Sequence, residues 1–167
     1  LICAKRWMEK VMKQSVRVVT PFTFVHYENS LEDVGLCAVL SQSGCSTNAI
    51  EALRLIKRSG RQAIGITGNP HSDFQQEADQ VIDWGVGEEC IGYVTQGVVS
   101  LILFLWLFAL RMAEEQQHLT LSQLQTYEAQ MREAIEAHAE AVCAGETWIE
   151  NNYALVTSMD QAYVIGA

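Results

Sequence analysis

The residues most able to do chemistry stand together at 41–48, Ser41-Gln42-Ser43-Gly44-Cys45-Ser46-Thr47-Asn48. Hydroxyls, carboxamides and a glycine follow an apolar run and precede an amphipathic helical pattern. At a helix N-terminus the unpaired backbone N–H groups and the helix dipole favour an anion. Hydroxyl and amide donors can surround a phosphate without a lysine. The same residues also suit an ordinary helix opening in which Ser46 or Asn48 caps. The segment is neither a Walker A loop nor G-x-G-x-x-G. Cys45 lies inside it, where a helix N-terminus would lower a thiol pKa. No base stands near it in sequence, so it reads as a small filler.

A second candidate is Glu88-Glu89, followed by Thr95 and Gln96. Carboxylates there could serve the dipole of the next helix. Alternatively, Glu89 could accept sugar hydroxyls or move a proton. His26, His71, His118 and His138 share no ligand spacing, and only His71 falls in a loop that could approach the first candidate.

The elements that must position these groups alternate between strand and helix. Residues 2–13 have helical apolar spacing without an N-cap, and Pro21 suits the first turn of a short helix through Tyr27. Val34–Leu40 reads as a buried strand and Ala49–Arg58 as an amphipathic helix, with Ile50, Leu53 and Ile56 inward and Gly60 as its stop. Ala63–Thr67 is a second strand, ending in Gly68-Asn69-Pro70. A short helix over Ser72–Ala78 then leads to a third strand, Gln80–Trp84. This order predicts βαβ units, a parallel sheet and helices on both faces. Ligands in such sheets bind where the strands end, which puts the 41–48 loop first among candidate sites.

From Ile91 to Leu110 no residue is charged, so a membrane span has to be weighed. The dense part, Val98–Leu110, would extend only about 20 Å as a helix, short of the roughly 30 Å hydrocarbon core. It runs on into Arg111 and Glu114-Glu115. The expectation is a central helix buried on most sides and no membrane partner. From Thr120 to about Asn151 a long Glu/Gln/Ala helix follows, with Leu121, Leu124, Tyr127, Met131 and Ile135 as its buried stripe. The last residues, 162–167, read as a buried strand.

Composition narrows the classes further. Of 167 residues 49% are hydrophobic and 19% charged, which fits a globular chain and not a disordered one. The net charge of −9 disfavours nucleic acid as a partner. Five scattered cysteines without a C-x-x-C pair suggest neither a disulfide framework nor a metal site. They point to reduced thiols and a cytoplasmic setting.

An apolar strand, S-Q-S-G-x-[ST], an amphipathic helix, a G-N-P turn, and G-E-E followed by I-G-x-x-T before an apolar helix together form a pattern. It resembles the sugar isomerase (SIS) domain, and in particular tandem-SIS proteins related to the isomerase half of glucosamine-6-phosphate synthase. The resemblance implies an α/β three-layer, flavodoxin-like fold. It divides the chain into a SIS domain at 1–118, a helical connector at 119–158 and the opening strand of a second SIS domain at 159–167. Measured against that family, the chain looks truncated at both ends, without the family's first strand and without most of the second domain.

By position, the resemblance implies Ser41, Gln42, Ser43 and Ser46 as phosphate ligands, with Glu89, Gly92, Val94 and Thr95 at the sugar end. Glu89 is then the one weak catalytic candidate, because the family's main catalytic glutamate falls in the second domain. Many relatives have lysine where this chain has Gln96. The implied function is phosphosugar binding within an aldose–ketose isomerase or a fructosamine 6-phosphate deglycase, needing no metal or cofactor. A carboxylate would shuttle a proton between C1 and C2. The alternative is a sugar-phosphate-sensing domain without catalysis. A homo-oligomer is expected in either case, since the apolar helix needs cover.

Overall fold

The computed structural model describes residues 1–87, 96–158 and 160. The chain divides into two compact units, Leu1–His118 and Leu119–Ala167. The first is built on three parallel strands, β1 (Cys37–Ser41), β2 (Ala63–Thr67) and β3 (Gln80–Asp83), in the order β1-β2-β3. Before them come α1 (Ile2–Met12) and α2 (Pro21–His26). Between and after them come α3 (Thr47–Arg58), α4 (Phe74–Glu77) and α5 (Gln96–Glu115).

Side chains on a strand alternate between faces, and here the two faces meet different helices. Cys37, Val39, Ala63 and Val81 join Phe24 of α2, Ala52, Leu53 and Ile56 of α3, and Phe74 of α4. Leu40, Ile64, Ile66 and Ile82 face the other way and pack with Leu101 and Phe104 of α5. Beyond them α1 lies against α5 through Ala4, Met8, Met12, Leu105 and Ala109, with the Trp7 and Trp106 rings 5.6 Å apart. Helices on both faces of a parallel sheet make the α/β three-layer architecture that the pattern predicted.

Particular contacts fix the layer spacing. Gly65 has no side chain because a Cβ there would stand 2.6 Å from Cδ2 of Phe74, which is fully buried over the sheet. Asp79 accepts the Ala63 N–H at 2.8 Å and donates its own N–H to the Ala63 carbonyl, joining the starts of β2 and β3. That hydrogen bond, with help from Lys57, holds the Asp79 carboxyl below its ordinary value.

Several expectations need correction. The first strand begins at Cys37, not Val34, because pairing starts where Cys37 meets Ala63, the first residue of β2, and it runs on to Ser41. The third strand likewise ends at Asp83, and the short helix covers only Phe74–Glu77. The apolar helix is not buried on most sides. Leu105, Ala109, Leu110 and Ala113 are buried, whereas Val98, Val99 and Leu107 are exposed. The sheet and α1 together cover only part of its circumference. By length and composition α5 could cross a membrane.

In the second unit, α6 (Leu121–Asn151) opens with a capping box between Thr120 and Gln123 and is followed by α7 (Tyr153–Thr157). Its expected apolar stripe is only partly buried. Met131 is buried and Leu124 and Tyr127 are half-buried, but Leu121 and Ile135 are exposed. A helix with mostly charged and polar neighbours can keep single apolar residues in water, so spacing alone overstated the stripe. The strand read at 162–167 lies outside the described residues.

Candidate functional site

Strand register brings the candidate loops to one edge. Ser41 pairs with Thr67, and Thr67 with Asp83, so all three strands end at the same level. The segments that follow them, 42–46, 68–73 and 84–87, therefore open side by side above the sheet.

The first of these is organised by its own hydroxyls. Ser41 Oγ accepts the Gly44 N–H and Ser43 Oγ accepts the Cys45 N–H, both at 3.2 Å. A hydroxyl that accepts one bond keeps its own O–H to donate, so both serines can still serve an anion. Gly44 has φ +65°, a left-handed conformation that suits glycine. Ser46 occupies the N-cap position of α3 with an extended backbone, yet its side chain makes no capping bond. The first intrahelical bond runs from Ile50 N–H to the Ser46 carbonyl. The N–H groups of Thr47, Asn48 and Ala49 thus have no helical partner. Ser43, Cys45, Ser46, Thr47 and Asn48 are exposed, so the loop's mouth is open.

Below the mouth the first two loops are joined. The fully buried Thr67 hydroxyl donates to the Gln42 carbonyl at 3.2 Å and accepts the Asn69 N–H at 3.1 Å. The Gly68 N–H reaches the same Gln42 carbonyl at 3.2 Å. Gln42 itself is half-buried. Its carboxamide lies against Gly68 and Gly97, so close that a Cβ on Gly97 would be 2.4 Å from Oε1. Its side chain thereby ties the loop to the first turn of α5. His71 is exposed in the second loop, where its N–H bonds Asn69 Oδ1. In the third, Asp83 Oδ1 accepts the Gly85 N–H at 2.8 Å.

The donors here are neutral. The cations of α3 are engaged elsewhere: Arg54 with Glu77, Lys57 with Asp79 and Arg58 with Glu51. No acidic residue stands in the first turn of α3 to repel an anion. Burial pushes the Cys37 thiol up, against the opposing pull of Arg61 and Arg17, which makes it a poor nucleophile. Among the described residues no three His, Cys, Asp or Glu side chains form a metal-holding group.

The structure therefore gathers Ser41, Gln42, Ser43 and Ser46 into one loop, with Gln42 turned toward α5. Glu89, Gly92, Val94 and Thr95, and with them the acidic candidate, lie outside the described residues. Sequence reasoning missed Thr67, which supports the loop from below through the Gln42 carbonyl, and Ser72, which lies buried beneath Gly44. For Thr67 there was a signal, since it is the polar residue closing the buried run Ala63–Thr67. In sequence Ser72 reads only as the opening of a short helix.

A parallel sheet with helices on both faces places the chain in the three-layer α/β class. The SIS domain family model matches residues 4–111, and the chain belongs to that family. A glutamine–fructose-6-phosphate aminotransferase (isomerizing) of Bradyrhizobium diazoefficiens is 29% identical over 117 residues, 70% of this chain and 19% of that protein. An arabinose 5-phosphate isomerase of Pseudomonas aeruginosa is 39% identical over 77 residues, 42% of this chain and 24% of that one. The chain thus spans about a fifth to a quarter of these relatives' length. A crystal structure from Clostridium difficile 630 shares the fold with TM-score 0.78 at 19% identity, covering 90% of this chain and 43% of that one.

Proposed function

We propose that this chain binds a phosphorylated sugar within an aldose–ketose isomerase or a deglycase of fructosamine 6-phosphates, with Ser41, Gln42, Ser43 and Ser46 as the phosphate anchor. The carrying observation is the open loop of hydroxyls and unpaired N–H groups at the start of α3, in a chain of the SIS family. The substrates in the relatives' names, fructose 6-phosphate and arabinose 5-phosphate, support the same ligand class. Phosphate held there would fix one end of an open-chain sugar and orient its reacting carbons. Glu89, Gly92, Val94 and Thr95 would meet the sugar end. In this reading residues 1–118 are the binding domain, 119–158 a connector and 159–167 the opening of a second such domain.

Gln96, which brings neither charge nor a titratable group to the start of α5, favours a second reading: a domain that senses a sugar phosphate without turning it over.

The test is a thermal-shift titration of the 167-residue chain with fructose 6-phosphate, arabinose 5-phosphate and the unphosphorylated sugars, with Ser43→Ala alongside. A ligand at a hundred times its Kd stabilises by about 2.7 kcal/mol. Stabilisation by the phosphorylated sugars only, lost in Ser43→Ala, supports the anchor. No shift with either would overturn it. Product formation by the same preparation would favour the enzyme.

A further inference from the structure

Behind the 41–46 loop lies a buried hydroxyl, that of Ser72. Ser72 is only 8% exposed, and its Oγ has no hydrogen-bond partner among the described residues. It is aimed at the loop: a Cβ on Gly44 would stand 1.9 Å from Ser72 Oγ and 2.9 Å from Thr67 Oγ1. A buried hydroxyl left unpaired is costly and calls for an explanation. Thr67, its neighbour beneath Gly44, is satisfied at both ends by Gln42 and Asn69. The Ser72 O–H therefore has a donor to offer and faces the left-handed glycine of the loop.

The Cys45 N–H is at present turned onto Ser43 Oγ. A rotation of the Gly44–Cys45 peptide would free that N–H for an anion at the mouth. The peptide is planar and trans, so turning its N–H outward turns the Gly44 carbonyl inward. Glycine at position 44 allows that rotation without a Cβ penalty.

We infer that Ser72 is a positioning residue for the phosphosugar site, donating its buried hydroxyl to the Gly44 carbonyl when the loop turns the Cys45 N–H and Ser43 Oγ toward the bound phosphate. The inference rests on the phosphosugar reading above. It adds a residue from the second loop whose bond forms only in the bound state.

The experiment compares the 167-residue chain with its Ser72→Ala variant by calorimetric titration with fructose 6-phosphate and arabinose 5-phosphate. Unliganded melting and the 13C carbonyl resonance of labelled Gly44 are recorded for both. The expected result is a Kd raised about tenfold in Ser72→Ala, the size of one net hydrogen bond. The unliganded midpoint should be unchanged or raised, because an unpaired buried hydroxyl has been removed. The ligand-induced downfield shift of the Gly44 carbonyl should appear in the parent chain and be lost in the variant. Equal affinities in the two chains would overturn the inference and leave the phosphosugar reading standing. So would a lowered unliganded midpoint with the Gly44 shift retained, since the hydroxyl would then be serving the unliganded fold. If neither phosphosugar binds the parent chain, the phosphosugar reading fails and the role of Ser72 falls with it.

Discussion

Gly44→Ala tests the loop's construction most directly. The new methyl group would meet Ser72 Oγ at 1.9 Å, Ser72 Cβ at 2.7 Å and Thr67 Oγ1 at 2.9 Å. Ser72 Oγ can swing aside about χ1, but the Ser72 Cβ is fixed to its backbone. Thr67 is fully buried and hydrogen-bonded on two sides, so it cannot retreat cheaply. The left-handed φ of +65° adds a second penalty, about 1–2 kcal/mol for a residue with a Cβ. Overpacking of this kind costs about 1–3 kcal/mol, and the stiffer unfolded chain returns roughly 0.4–1. The net loss should be about 2–4 kcal/mol, or a midpoint lowered by roughly 5–15 °C at about 2–4 °C per kcal/mol.

Gly60→Ala is the matched control. Gly60 has φ +77°, but a Cβ there meets nothing within 4 Å, so only the strain less the chain term remains, about 1 kcal/mol. Urea denaturation of both variants and the parent gives the two differences. If Gly44→Ala costs no more than Gly60→Ala, the packing of Ser72 and Thr67 against the loop is wrong. Adding Ser72→Ala to Gly44→Ala should recover only part of the loss, because the contact with the residue 72 Cβ persists. Full recovery, or none, would refute the geometry in different ways.

Two other perturbations probe the scaffold. Phe74→Ala removes a fully buried ring lying over Gly65 and should cost about 3–5 kcal/mol in urea denaturation; a loss below about 1 kcal/mol would mean the ring is not closing the layer between sheet and α4. Asp79→Asn keeps an oxygen acceptor for the Ala63 N–H but removes the charge. The Asp79 carboxyl is held below its ordinary value in the folded chain, so its contribution is complete above the unfolded value of about 3.9 and is lost as pH falls through the folded one. The variant should therefore be the less stable at pH 7, with the difference closing below about pH 4. A difference that persists unchanged at pH 2 would show that charge is not what Asp79 contributes.

By themselves, the residues determined the alternation of strand and helix, the parallel sheet and the family. The apolar run Ala63–Thr67 and the helical spacing of Ala49–Arg58 are local signals, set by which side chains can leave water. The donor set at 41–48 was legible as a candidate, although the same residue types also suit an ordinary helix opening. What the tertiary structure decided were matters of pairing and approach. The first strand's start depends on Ala63, a residue 26 positions away from Cys37 in the ladder. The incomplete burial of α5 depends on how much of its circumference α1 and the sheet can reach, which no periodicity records. Gln42 was read as a ligand in a loop, but the close approach of Gly68 and Gly97 is what turns its carboxamide toward α5. Ser72, an unremarked serine after a proline turn, acquires its meaning only because folding buries its hydroxyl beneath Gly44. Composition governs what a segment can bury, whereas the partner of a buried polar atom is fixed by chain segments far apart in sequence.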